Sequence, residues 1–372
     1  MCTNMKVSKD SSERIKISNR NLSVEFLRFL FALLVVMVHT HGLRPDDPNQ
    51  YPFAGGYIAV EFFLILSGFF IAKSTSKVKA APDQCGKISL QLTWKKFQSV
   101  FFYVFSSVIL EYAVEAIVRQ ESLYTIVKNY VYSVFEFSLF PMTGIYQTFF
   151  NLPLWYLSAF FLVLPFFQYL LLRFRDFSTT VFLMIVPLVV YGHFCVTYGE
   201  LDKWNIWYGF FYIGTLRVLA GLCVGGLLFF ASSSLRKIQF TKISQVCVSI
   251  FQLGIIAAVF VISYGKAHSR MDFILVFLLA LLILFTLSDK GVFSYIVKGR
   301  FFALLGKLSV PLFTSHWAVR QLVPYLMPKA TYAEMLPIYL MFCIALSLTL
   351  FALKAWMDKI QIGDRIKRCL IK

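Results

Sequence analysis

Long apolar runs, broken by short polar and basic segments, recur along the chain. A helix needs about 20 mostly apolar residues to cross the hydrocarbon core of a bilayer. Ten windows come near that length: Leu22–His41, Gly56–Lys73, Phe97–Ile117, Leu152–Leu172, Thr179–Tyr198, Ile206–Phe230, Ile243–Tyr264, Met271–Leu287, Leu304–Met327 and Glu334–Trp356. The runs are too long and too continuous for the alternating strands of a membrane β-barrel. The pattern predicts an all-α protein, a polytopic membrane bundle of about ten transmembrane helices. It divides the chain into an N-terminal tail (1–21), a transmembrane domain (22–356) and a C-terminal tail (357–372). The segment Val118–Asn151 is rich in Phe and Tyr and is expected to lie partly in the interface or to fold back into the bundle.

Composition excludes the water-soluble alternatives. Of the 372 residues, 58% are hydrophobic and 15% charged, and mean hydropathy is +0.70. Soluble chains are roughly 45–50% apolar and about 25% charged. The 41 Phe and 19 Tyr would leave large apolar patches on any water-facing fold. A soluble globular enzyme, a disordered chain and a secreted disulfide scaffold are therefore set aside. The cysteines are odd in number (seven), with no CxxC and no metal-ligand spacing, so no metal is expected. The first twenty residues are polar and basic, and no cleavable signal peptide is expected ahead of the first span.

A net charge of +17 would suit nucleic acid, but in a membrane chain it has a simpler cause. With ten spans both termini share one side, and basic residues collect on cytoplasmic loops. Of the 36 Lys and Arg, Arg44, Arg119, Lys128, Lys203, Lys266, Arg270 and Lys329 fall on the opposite side, and Arg28, Arg217 and Arg320 within spans. The rest lie on the side of the N-terminus. Both termini are thus expected in the cytoplasm, with membrane lipid and not nucleic acid as the charged partner.

Ionisable groups inside a membrane are costly and mark functional sites. Arg28 and His39 both lie in the first window, 11 residues apart. On a straight helix that is about 1,100° of rotation and a rise of about 16 Å, so both share one face. A guanidinium suits phosphate; an imidazole suits proton abstraction near neutral pH. Glu61 opens the second window at a depth similar to that of His39 and is expected to orient its imidazole. Ser67 and Gly68 follow, a pair suited to close helix packing. His316, mid-span after Pro311, is either a substrate-site donor or a buried hydrogen-bonding residue, and Trp155 either packs or stacks on a sugar. Lys95 and Lys96 stand at the mouth of the third window, where they would meet a donor's phosphates or anionic lipid.

The stretch 21–74, NLSVEFLRFLFALLVVMVHTHG through GGYIAVEFFLILSGFFIAKS, resembles the opening of the acyltransferase-3 family of integral-membrane bacterial O-acyltransferases. The matching residues are Arg28 and His39, ten residues between them, then Gly56, Glu61, Phe62, Phe63, Ser67, Gly68 and Phe69. LPLWYLSAFFLVLPFF at 152–167 and LGKLSVPLFTSHWAV at 305–319 resemble later segments, the second through Gly306, Ser309 and His316. Lys95 and Lys96 stand where the family usually has Arg-x-x-Arg, and Glu61 where many members have Asp.

The resemblance implies a transferase in the bacterial cytoplasmic membrane. It would move an acyl group, commonly acetyl, from cytoplasmic acyl-CoA to a hydroxyl of a surface or lipid-linked glycan. Arg28, Lys95 and Lys96 would hold the CoA phosphates. His39, oriented by Glu61, would act as general base or as acyl relay, with Ser67, Trp155 and His316 in support. The alternatives are a secondary transporter or a non-catalytic membrane component of a polysaccharide assembly system. No matching pair of broken helices in two halves favours the transporter.

Overall fold

The computed structural model of the protein describes residues 21–44, 51–145, 150–265, 268–291 and 297–370. The expected N-terminal tail, apart from Asn21, and the last two residues of the C-terminal tail lie outside them. Nearly everything described is helix. The long helices are α1 (Leu22–Val38), α2 (Ala59–Thr75), α3 (Cys85–Arg119), α4 (Leu123–Phe137), α5 (Trp155–Arg173), α6 (Leu183–Thr197), α7 (Gly214–Leu235), α8 (Lys242–Gly265), α9 (Met271–Leu287), α10 (Arg300–Leu326) and α11 (Tyr332–Leu370). One small antiparallel hairpin pairs Trp207–Tyr208 with Phe211–Tyr212.

Each of the ten predicted windows holds one of these helices. Among the described residues, seven helical stretches are long and apolar enough to cross a membrane. The apolar helices α6 and α9 are shorter, at 15 and 17 residues. α10, 27 residues long, is not among the seven and carries Lys307, His316 and Arg320. The Phe- and Tyr-rich segment after α3 forms α4, which folds back on the bundle. Its Glu136 is buried and accepts from the Tyr112 hydroxyl at 3.1 Å and the Asn151 amide at 2.6 Å.

Helix ends follow local chemistry. The side chain of Asn21 accepts from the Val24 amide at 3.2 Å and caps α1. α1 ends at Val38, where the chain tightens into a 3-10 turn over His39–Leu43. Gly42 sits in that turn because a Cβ there would run into the Arg320 side chain.

The bundle is apolar on its outside as well as in its core. Large apolar side chains such as Leu188, Val196, Phe210 and Ile243 face outward, a surface that lipid covers. Polar groups collect inside: Glu61, Arg217, Thr314, Ser315 and His316 are all fully buried.

Two helix pairings place the site. α2 packs chiefly against α7, and α1 chiefly against α10. The first is a close glycine crossing. A Cβ at Gly68 would collide with the Leu222 carbonyl, and one at Gly225 with the Ile65 carbonyl. Gly221 and Gly225 form the small-x-x-x-small spacing that lets backbones approach in a membrane. In the second pairing, Gly306 of α10 leaves room for the Glu25 side chain of α1. Between these layers Phe31 stacks on Phe62 with ring centroids 4.1 Å apart.

Candidate functional site

The close crossing of α2 and α7 decides where Glu61 goes. Arg217 lies one turn before Gly221, and both it and Glu61 are fully buried. Arg217 Nε donates to Glu61 Oε1 at 2.7 Å, and the Tyr191 hydroxyl donates to Oε2 at 2.6 Å. Trp155 lies under the guanidinium, 5.6 Å from it, and stacks on Trp204 at 5.0 Å. Arg217 also donates to the Tyr57 carbonyl at 3.3 Å and stands 3.9 Å from Asp202. In the loop that carries it, burial pushes the Asp202 carboxyl up to about 6, outweighing the nearby Arg217.

This corrects the expected pairing of Glu61 with His39. Among the described residues no hydrogen bond joins the two, and both Glu61 oxygens are already occupied. The reason is physical. A buried guanidinium needs a carboxylate far more than a neutral imidazole does. Trp155, too, acts here as packing beneath that ion pair.

The partner of His39 comes from α10 instead. The His39 ring stacks on His316 with centroids 5.2 Å apart, and meets Trp317 edge-on at 5.1 Å. His316 Nδ1 faces the carbonyls of Phe313 at 2.8 Å and Leu312 at 3.2 Å. Carbonyl oxygens only accept, so Nδ1 carries the proton and Nε2 keeps its lone pair. That Nε2 is buried and has no partner, as is Nδ1 of His39. Unpaired buried polar atoms are costly, and two of them fall on this stacked pair. Arg320 closes it from the far side, donating to the His39 carbonyl at 3.1 Å and to His41 Nε2 at 2.9 Å. His41 in turn donates from Nδ1 to the Val38 carbonyl at 3.2 Å.

Arg28 lies at the other end of the shared face. It pairs with Glu25 at 3.5 Å and remains partly exposed. It also lines a cavity of about 450 Å³. Lys95 and Lys96 stand in the same wall, with Ser67, Ser309 and the aromatic rings of Phe63, Tyr156, Phe160 and Phe313. Neither histidine lines this cavity, but Phe313, which does, has its ring centroid 6.4 Å from that of His316. A neighbouring cavity of about 620 Å³ shares Arg28 and Phe70 and adds Lys73, Arg236 and Lys298, with Glu25 and Asp289 in its wall.

The structure thus brings Arg28, Lys95, Lys96 and Ser67 together in one wall and sets His39 against His316. Glu61 and Trp155 belong to a second cluster around Arg217. Sequence reasoning placed Arg217 and Arg320 within spans but gave them no role, and it passed over Tyr191, Trp317 and the basic group Lys73, Arg236 and Lys298. The buried charge was the available signal for Arg217, and the Gly221–Gly225 spacing one turn away was a second.

A family model described as an acyltransferase domain matches residues 21–356, nearly the whole chain. Comparison with curated proteins and with solved structures returned no match. By this match the chain belongs to the acyltransferase-3 family, and with its apolar helices it is an integral-membrane acyltransferase.

Proposed function

We propose that the protein is an O-acyltransferase that moves an acyl group, acetyl first, from acyl-CoA to a hydroxyl of a surface or lipid-linked polysaccharide. It would work in a bacterial cytoplasmic membrane with both termini inside. One observation carries the reading: a single cavity is basic at Arg28, Lys95 and Lys96 and is walled by aromatic rings, one of which, Phe313, neighbours His316 of the stacked histidine pair. Guanidinium and ammonium groups suit the phosphates of CoA. Apolar walls suit the pantetheine arm and its thioester. The cavity volume of about 450 Å³ is in the range of small-molecule sites.

The histidines supply the chemistry. As general base, an imidazole takes the proton of the acceptor hydroxyl while its oxygen attacks the thioester carbonyl. The carbon–sulfur bond then breaks, and the imidazolium returns its proton to the leaving thiolate. As relay, the imidazole nitrogen first takes the acyl group with release of the thiol, then yields it to the hydroxyl. Both routes need a free lone pair, which His316 Nε2 has. Glu61 enters either route only indirectly, by holding Arg217 and so the α2–α7 crossing.

The test is label transfer from radiolabelled acetyl-CoA to cell-envelope glycan. Replacing His39 or His316 by Ala is expected to lower the rate about 10²–10⁴-fold, the usual worth of general acid–base catalysis, with an unchanged gel-filtration profile. Arg28→Gln should mainly weaken CoA binding. A His39→Ala protein that transfers at the full rate overturns the assignment.

A further inference from the structure

Past the Val38 end of α1, at the end away from Arg28, lies another cavity of about 680 Å³. Its wall holds Arg44, Arg119, Arg320, Glu115, Trp317 and Tyr325. Trp317 connects it to the chemistry. One side of that ring meets His39, and Arg320 lies over it with the guanidinium 4.1 Å from the centroid. The side chain is 7% exposed, and its Nε1–H is buried with no partner. A buried N–H left unpaired at a cavity wall is a donor waiting for an acceptor atom.

The charges in the wall do not cancel. Glu115 forms an ion pair with Arg119. Arg44 donates to the Pro328 carbonyl at 3.1 Å, and Arg320 to the His39 carbonyl and the His41 ring. Their partners are neutral: two carbonyls, and a His41 whose Nε2 accepts. The nearby Glu111 accepts from the Gln321 amide through Oε1 and leaves Oε2 without a hydrogen-bond partner, so it acts on Arg320 through space and makes no hydrogen bond to it. Two guanidiniums therefore face the cavity without a bonded carboxylate. Phe150 and Tyr325 add flat apolar faces to the same wall.

We infer that this cavity binds the acyl acceptor, and that the acceptor is an acidic saccharide. Its carboxylate or phosphate sits on Arg44 and Arg320, and its ring lies on the aromatic wall within reach of His39. A guanidinium pair whose hydrogen-bond partners are neutral favours an anion, whereas a neutral glycan would offer neither guanidinium a bonded carboxylate or phosphate. The reading of the ligand as an acceptor rests on the transferase function; the preference for an anion rests on the wall alone.

The test is calorimetric binding to the full chain in lipid nanodiscs, with three probes of equal length: tetragalacturonate, a phosphorylated maltotetraose and neutral galactotetraose. At least one acidic probe is expected to bind ten-fold or more tightly than the neutral one, with affinity that falls as salt rises. Which acidic probe wins tells carboxylate from phosphate. Arg44→Gln, at an exposed position, should reduce the acidic preference at least three-fold and leave neutral binding unchanged. Trp317→Phe, which removes the N–H together with the five-membered ring but keeps a six-membered aromatic face, should weaken the acidic probe while CoA binding stays as in the wild type. Equal binding of all three probes, no binding of any, or an Arg44→Gln protein with the full preference overturns the inference. Acetyl-CoA binding is measured on the same preparation. Its loss would sink the transferase reading and leave the anion preference standing, and the reverse pattern would sink only the present inference.

Discussion

Glu61→Gln separates the observed role of this carboxylate from the expected one. The substitution keeps the shape and removes the charge. In the native protein Glu61 and Arg217 are both fully buried, and the carboxylate accepts from Arg217 at 2.7 Å and from Tyr191 at 2.6 Å. After the change, the Gln oxygen can still accept from Arg217 while its nitrogen donates to the Tyr191 oxygen, but the negative charge is gone. Arg217 is left as a buried charge without its partner, a defect worth about 3–5 kcal/mol. Asp202 stands 3.9 Å away and offsets part of it, which argues for the lower end, about 3 kcal/mol. Arg217→Met on top of Glu61→Gln removes the orphaned charge and should restore about half or more of the loss. The measurement is unfolding in mixed micelles by SDS titration, followed by circular dichroism. A Glu61→Gln protein that unfolds like the wild type yet has lost transfer would refute the reasoning. It would return Glu61 to a direct role beside His39.

Two further outcomes follow from the packing and the loop charges. Gly225→Leu sets a side chain against the Ile65 carbonyl, a backbone atom that cannot swing away; it should cost at least about 1–3 kcal/mol in the same titration, and wild-type unfolding would show that α2 and α7 do not meet there. At the loop ahead of α7, burial pushes the Glu200 carboxyl up, but Lys203 and His268 outweigh it and hold it below its ordinary value. A lowered carboxylate stabilises the fold above its unfolded pKa and loses that contribution as pH falls through the folded value. Thermal melting should therefore show a wild-type advantage over Glu200→Gln at pH 7 that fades below about pH 4; an advantage that grows on acidification would contradict the pairing.

The basic wall of the first cavity was legible along the chain, because Arg28 stands out as a charge inside an apolar run, Lys95 and Lys96 as charges at the mouth of one, and Ser67 as a polar residue within one. Arg28 and His39 share a face by helical arithmetic alone; in the structure Arg28 is partly exposed at the cavity wall and His39 lies in the 3-10 turn just past α1. The pairing of His39 was not legible. The expectation took helices adjacent in sequence to be adjacent in space, which would bring Glu61 of α2 to His39 at the end of α1. In the folded protein α1 packs on α10, so the nearest imidazole is His316, 277 residues further along by the numbering. Nothing local to His39 announces that neighbour.

What the amino-acid order determined by itself is everything that depends on about 20 consecutive residues: where helices form, that they are apolar enough for lipid, and which polar side chains each one carries inward. Helix formation satisfies the backbone within a segment, so it needs no knowledge of the rest of the chain. What only the tertiary structure decided is which helix meets which. In lipid, apolar faces have little preference among partners, and the choice falls to glycine crossings and buried charges. Gly68 against Gly225 chose α7 for α2; the guanidinium of Arg217 then claimed Glu61 and left the two histidines to each other.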